Sequence, residues 1–220
     1  MPKKEGGMFT LRVETPNLDR TIKGLDLSNK DVAKAVKAAI RKGTTNAPGI
    51  VVDAITARYG IPKSDPEMKQ ATDGAKASGK KFNQKSKILV RGSLVGGIQL
   101  LYQGRVLTPI HFRLSWKQNA KGEYDIRATI LKGQRKRLRG RYKTPIFMAP
   151  QQTGVMLPWQ RVGKKRLPVY AIRTVSIPQM VENSAVRADY EPKIDAMITE
   201  LVEKNIDELL PKSKGAGASA

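Results

Sequence analysis

Positive charge in this chain is confined to a stretch whose apolar residues are spaced like strands, and that combination constrains the fold more than any single motif. Between Lys76 and Arg173 stand 23 Lys/Arg against two acids, Glu123 and Asp125, a net +21 of the chain's +22. Of 41 basic and 19 acidic residues, this leaves 18 and 17 on flanks with helical spacing. Charge packed into one block implies a polyanionic neighbour, and a phosphate backbone is the simplest one. The apolar runs within the block show that it is more than a basic tail. The expected fold is therefore α+β: a central antiparallel basic sheet, flanked by N-terminal Ala-rich helices and a C-terminal amphipathic helix.

Periodicity places the elements. Met8 to Val13 predicts a short strand. Ser28 and Asp31 have the spacing of a capping box, followed by Val32, Ala35, Val36, Ala39 and Ile40 on one helical face. Ile50 to Ala57 resumes that helix, with a break expected near Gly43 to Gly49, which includes Pro48. Ser64-Asp-Pro-Glu67 starts a second, polar helix running into a basic linker, Lys76 to Lys87. Strands are predicted at Lys87–Gly92, Ile110–Trp116, Tyr124–Ile130, Ile146–Ala149, Val155–Leu157 and Leu167–Arg173. Gln118 to Gly122 has hairpin-loop composition. From Ile177 the chain turns helical, and Ile194, Met197, Ile198, Leu201, Val202, Ile206 and Leu209 form a stripe ending at Pro211. Ile194, Ile198, Leu201 and Val202 are expected to make the packing or oligomer contact. As domains, residues 1–27 read as an N-terminal extension and 28–80 as a helical region. Residues 87–210 read as a basic sheet with its helix, packed on 28–80 as one domain, and 211–220 as a flexible tail.

The densest run, Lys132 to Lys143, holds seven basic residues and no acid. Extended, it sets Arg135, Arg137, Arg139 and Arg141 on one face, with Leu138 and Tyr142 on the other; successive Arg stand roughly 6.6 Å apart, twice the strand rise. Such a ladder of planar guanidinium groups suits phosphate or carboxylate. With Lys132, Lys136, Arg161, Lys164, Lys165 and Arg166 it is the candidate polyanion or partner contact. A solvated hairpin is the competing reading. The block's aromatic residues fall inside strand patterns, so base stacking is not the expected mode of contact.

Chemistry-bearing patterns are sparse. The chain has no cysteine and one histidine, His111, which excludes disulfides, thiolate metal sites and paired-His motifs. His111 sits between Ile110 and Phe112 and reads as packed or hydrogen-bonded rather than as a general base. Carboxylates do not converge as two-metal chemistry requires, and no phosphate-loop pattern occurs, Gly96-Gly97 included. No catalytic, metal or cofactor residues are assigned; the expectation is a non-enzyme without cofactors. No apolar run reaches membrane-span length and no signal core follows Met1, so the expected site of synthesis and assembly is the cytoplasm.

Five segments in order resemble the minor tail protein Z, or tail-completion, family of tailed phages. They are Ile88-Leu-Val-Arg-Gly92, Lys132-Gly-Gln-Arg-Lys-Arg137, Ile146-Phe-Met-Ala149, Arg161-Val-Gly-Lys-Lys-Arg-Leu-Pro-Val169 and Val175-Ser-Ile-Pro-Gln-Met-Val181. The likeness runs from about Lys30 to Leu210, and its order and spacing, rather than any one motif, carry it. Gly122-Glu-Tyr-Asp125 and the N-terminal segment depart from the pattern. The resemblance implies a structural virion protein completing the tail or neck at the head–tail junction, without catalytic residues. It also implies a ring of its own copies around the DNA conduit, with a hexamer favoured over a dodecamer. Its neighbours are tail-terminator, tail-tube or connector proteins, with backbone contact to phage DNA possible and no membrane. Gly133 to Arg137 and Arg161 to Pro168 are the positions it marks as contact surface. The alternative function is a free, sequence-independent nucleic-acid-binding protein of ribosomal or nucleoid type. The acidic C-terminal helix discriminates: a ring subunit can pair it with a neighbour's basic sheet.

Overall fold

A computed structural model describes residues 7–13, 15–73, 86–92, 98–104 and 106–209. The basic linker around 76–85, Gly96-Gly97, Pro211 and the tail 211–220 lie outside them. The fold is α+β, as the change of periodicity predicts. Among the described residues the strands form three three-stranded antiparallel sheets instead of one central sheet.

Helices make the base. α1 spans Pro16–Lys23, α2 Lys30–Arg58, α3 Pro66–Asp73, α4 Ile177–Glu182 and α5 Ser184–Asp207. α2 and α5 pack along each other, with α1 and α4 against α5. The stretch read as an N-terminal extension thus supplies α1, whose Leu18 and Ile22 are in the core. Spacing alone does not reveal this eight-residue helix. Its N-terminus is capped from afar, because Thr15 makes no side-chain cap. Buried Asp195 on α5 instead accepts from the backbone N–H of Asn17 and Leu18, each at 3.1 Å. A carboxylate there satisfies orphan donors and meets the positive end of the helix. Asp195→Ala is expected to cost on the order of 3 kcal/mol, because two charge-assisted bonds disappear. Hydrogen exchange should show α1 opening first, and unchanged protection of Leu18 would refute the cap.

α2 corrects two expectations. Its cap is Asn29, whose side chain accepts from the N–H of Asp31 and Val32. Ser28 lies outside the helix and donates to Asp26 at 2.6 Å. No break occurs at Gly43 to Gly49: the helix is continuous for 29 residues with Pro48 buried inside it. Gly43 serves close approach, since a Cβ there would stand 2.6 Å from Cγ1 of Ile198 on α5. Packing of a long apolar face outweighs the local cost of one Gly and one Pro.

Of the four α5 residues expected on the packing stripe, Ile194, Ile198 and Val202 are fully buried and Leu201 half-buried. The same core holds Val36, Val51 and Ile55 of α2. Burial raises the phenol pKa of Tyr102 and of Tyr190 above the usual range, so both stay neutral there. Ser176 and Gln179 form a reciprocal capping box at the start of α4, with Pro178 in its first turn. The Val-Ser-Ile-Pro-Gln-Met segment therefore has a local job: it starts a helix and buries Ile177 and Met180.

The first sheet is β1 (Gly7–Val13), β3 (Ile98–Gly104) and β2 (Ser86–Gly92), in that order, with β3 central. It lies against α2, α3 and α4. β3 has no counterpart among the predicted strands, whereas β1 and β2 fall where the apolar runs place them. The second sheet is β4 (Ser115–Gln118), β5 (Tyr124–Leu131) and β6 (Gln134–Arg137). β4 and β5 are the hairpin expected around Gln118 to Gly122. Ile110–Phe112, read as strand, forms a 3-10 turn over Pro109–Phe112 that ends at Arg113 in left-handed backbone, φ 50°. Pro109 sets that turn, and Phe112 is buried by it. The end of α2 is stitched to β5. Gly60 N–H donates to the Ile130 carbonyl and Lys132 N–H to the Arg58 carbonyl, both at 2.9 Å.

The third sheet is β7 (Ile146–Pro150), β8 (Met156–Arg161) and β9 (Val169–Ala171). It meets the rest of the fold through β5 and the 3-10 turn.

Candidate polyanion or partner surface

The basic run after β5 begins as a hairpin. Gly133 takes φ 77°, a conformation that side chains with a Cβ rarely adopt, and β6 follows with all four residues exposed. β6 ends at Arg137, so the four-Arg ladder on one strand does not form. Arg135 and Arg137 stand on β6, while Arg139 and Arg141 lie in the irregular segment beyond it. Leu138 N–H still donates to the Ile126 carbonyl of β5 at 2.8 Å, and beyond it buried Gln160 on β8 takes up the backbone. Its Oε1 accepts from Tyr142 N–H at 3.0 Å, and its Nε2 donates to the Tyr142 and Thr144 carbonyls at 2.6 Å. This one amide holds the backbone of Tyr142 to Thr144 on the third sheet. Gly140 permits it, because a Cβ there would collide with the Gln160 amide. The alternation of exposure survives without the strand: Arg139 and Arg141 are exposed, Leu138 and Tyr142 half-buried.

The cations differ in how free they are. Arg135 donates to the Ser115 hydroxyl. Arg137 shares Asp125 with Arg127, at 3.4 and 2.9 Å. Lys132 reaches the Thr56 carbonyl at 3.4 Å, so it helps hold α2 to the hairpin. Lys136, Arg139, Arg141, Lys164, Lys165 and Arg166 are exposed and make no ion pair among the described residues. Each free guanidinium or ammonium is hydrated and ready to exchange water for a phosphate or carboxylate.

The two basic segments meet beside the β8–β9 loop. Thr144 hydroxyl donates to the Arg161 carbonyl, and the rings of Tyr142 and Tyr170 stand 6.1 Å apart. Gln160 and Tyr170 pair across β8 and β9 on that face. The opposite face carries Phe147, Trp159 and Val169, and the Arg161 guanidinium lies 4.8 Å from the Phe147 ring centre. An open cleft of about 710 Å³ lies on this second face, lined also by Arg166 and Leu167. Leu167 is 67% exposed, unusual for a large aliphatic side chain.

His111 is paired with a carboxylate. Its Nδ1 stands 2.9 Å from Asp65 Oδ2, while Asp65 Oδ1 accepts from the N–H of Glu67 at the start of α3. The pair ties α3 to the 3-10 turn, in line with a hydrogen-bonded histidine. Among the described residues no group of three His, Asp or Glu side chains is placed to hold a metal ion. No described helix is long and apolar enough to cross a membrane. Sequence reasoning missed Gln160, which no pattern marks, and the cleft, whose Phe147 and Trp159 read as core because both lie in apolar strands. No family model, curated protein or solved structure matches this chain.

Proposed function

We propose that this chain is a structural virion protein of a tailed phage, a ring subunit completing the tail or neck at the head–tail junction. The observation that carries the reading is the meeting of two segments. The basic run that opens on Gly133 to Arg137 reaches the Arg161 to Pro168 segment at its far end, where Tyr142 and Thr144 bond to Gln160 and Arg161. A pair of basic segments held together by a buried amide is a built surface rather than incidental solvent-facing charge. It borders DNA in the conduit or an acidic neighbour in the ring, and the chain performs no catalysis.

Phage assembled without this chain should accumulate heads and tails that fail to join. A virion reconstruction should place the chain at the neck or upper tail. Infectious particles lacking the chain would return the reading to a free nucleic-acid binder.

The DNA arm has its own test. Arg139→Gln with Arg141→Gln removes two cations that make no ion pair among the described residues. If both meet phosphate, the slope of log K against log salt should flatten by roughly 0.9 for each phosphate no longer neutralised on duplex DNA. Thermal stability should hold, because Leu138 and Tyr142 keep their packing. An unchanged slope with normal virion assembly would leave a solvated segment.

A further inference from the structure

The cleft on β7–β8–β9 is an apolar floor with cationic side chains, and no other part of the described chain fills it. Phe147, Trp159 and Val169 form the floor, Leu167 projects beside it, and Arg161 and Arg166 supply the charge. Its complement is present on the same molecule. At the end of α5, Glu200, Glu203, Asp207 and Glu208 are exposed, with Lys204 among them. Leu209, next to Glu208, is 44% exposed. None of these four acids makes an ion pair among the described residues.

The acidic end cannot reach the cleft of its own chain without leaving its place. α5 packs on α1, α2 and α4, and Asn205 Nδ2 holds its last turns by donating to the Ala35 carbonyl at 3.0 Å. The third sheet instead meets β5 and the 3-10 turn. We infer that the cleft takes the acidic end of α5 from a second copy. Leu209 lies on the aromatic floor, and Asp207 and Glu208 face Arg161 and Arg166. Because donor and acceptor surfaces differ, the association is head-to-tail and leads to a ring or a filament. The inference rests on the ring reading and names the surfaces that meet.

The test is sedimentation of the full chain and two reversed variants, with circular dichroism to verify folding. Wild type should assemble at low salt and dissociate as salt rises, since rim charges are screened. Arg161→Glu with Arg166→Glu, and separately Asp207→Lys with Glu208→Lys, should each sediment as monomers. An equimolar mixture of the two should regain wild-type assembly, because each reversed surface then faces its complement. Leu209→Asp should weaken assembly about tenfold or more.

A wild-type chain that stays monomeric, reversed variants that assemble normally, or a mixture that stays monomeric would each overturn the inference. So would loss of DNA affinity in the Arg variant with self-association intact, which assigns the cleft to nucleic acid. A chain that assembles regardless of these charges sinks the interface and leaves the ring reading standing. A chain that assembles through them yet is absent from virions sinks only the virion reading.

Discussion

Gly60→Ala is expected to be among the most destabilising single substitutions in this protein, although it adds one methyl group. A Cβ at Gly60 would lie 2.9 Å from the Thr129 carbonyl carbon and within the van der Waals shell of its oxygen. The neighbour is backbone in β5, so no rotamer change relieves the clash. Relief requires moving the end of α2 off the sheet, breaking the Gly60–Ile130 and Lys132–Arg58 hydrogen bonds. Overpacking plus the two broken bonds should cost about 3 kcal/mol or more. For a chain of this size that lowers Tm by roughly 6–12 °C. Gly49 is the control: it lies in α2, and a Cβ there would meet nothing within 4 Å. Gly49→Ala should stabilise by roughly 0.5–1 kcal/mol through helix propensity. Equal melting temperatures for the two variants would show that the α2–β5 junction is not tight.

The second large effect belongs to α5. Ile198 is fully buried against Gly43 and the α2 face, so Ile198→Asp places a carboxylate where neither water nor a cation reaches it. An uncompensated buried charge should cost about 3–5 kcal/mol. The product should be insoluble or lack fixed tertiary structure by near-ultraviolet circular dichroism. Leu201→Asp should be milder, about 1–3 kcal/mol, because Leu201 is half-buried and its substitute can turn toward solvent. Soluble yield and near-ultraviolet circular dichroism of both variants, with denaturant titration of any that fold, test the ranking. A Leu201 variant less stable than the Ile198 variant would mean that α5 is rotated relative to the packing described.

What is legible in the sequence follows from the range of the interactions involved. Helices α2 and α5 and hairpin β4–β5 are specified by periodicity over many residues, and periodicity is readable. Gly43, Pro48 and Ser28 mislead because local preference is a poor guide at each. Gly43 faces Ile198 of α5, Pro48 is buried within the helix, and the cap sits one residue later, at Asn29. The 3-10 turn at Pro109–Phe112 is hidden because four residues with alternating apolar character fit a strand equally well. For the candidate surface, composition names cations that the structure leaves exposed. It does not show that Asp125 engages two of them or that Gln160 brings the two segments together. Arg127 is a near neighbour of Asp125, but Arg137 and the partners of Gln160 are many positions away, and no spacing rule encodes those contacts.

The cap on α1 has a consequence for the order of events during synthesis. Asn17 and Asp195 are separated by 178 positions, so the first helix emerges long before the carboxylate that terminates it. At roughly 5–20 residues per second, about 9–35 s pass before Asp195 is made. During that interval α1, only eight residues long, is too short to persist alone. α1 therefore waits, unfixed, for α5, and these two distant pieces of the core are locked in one late step.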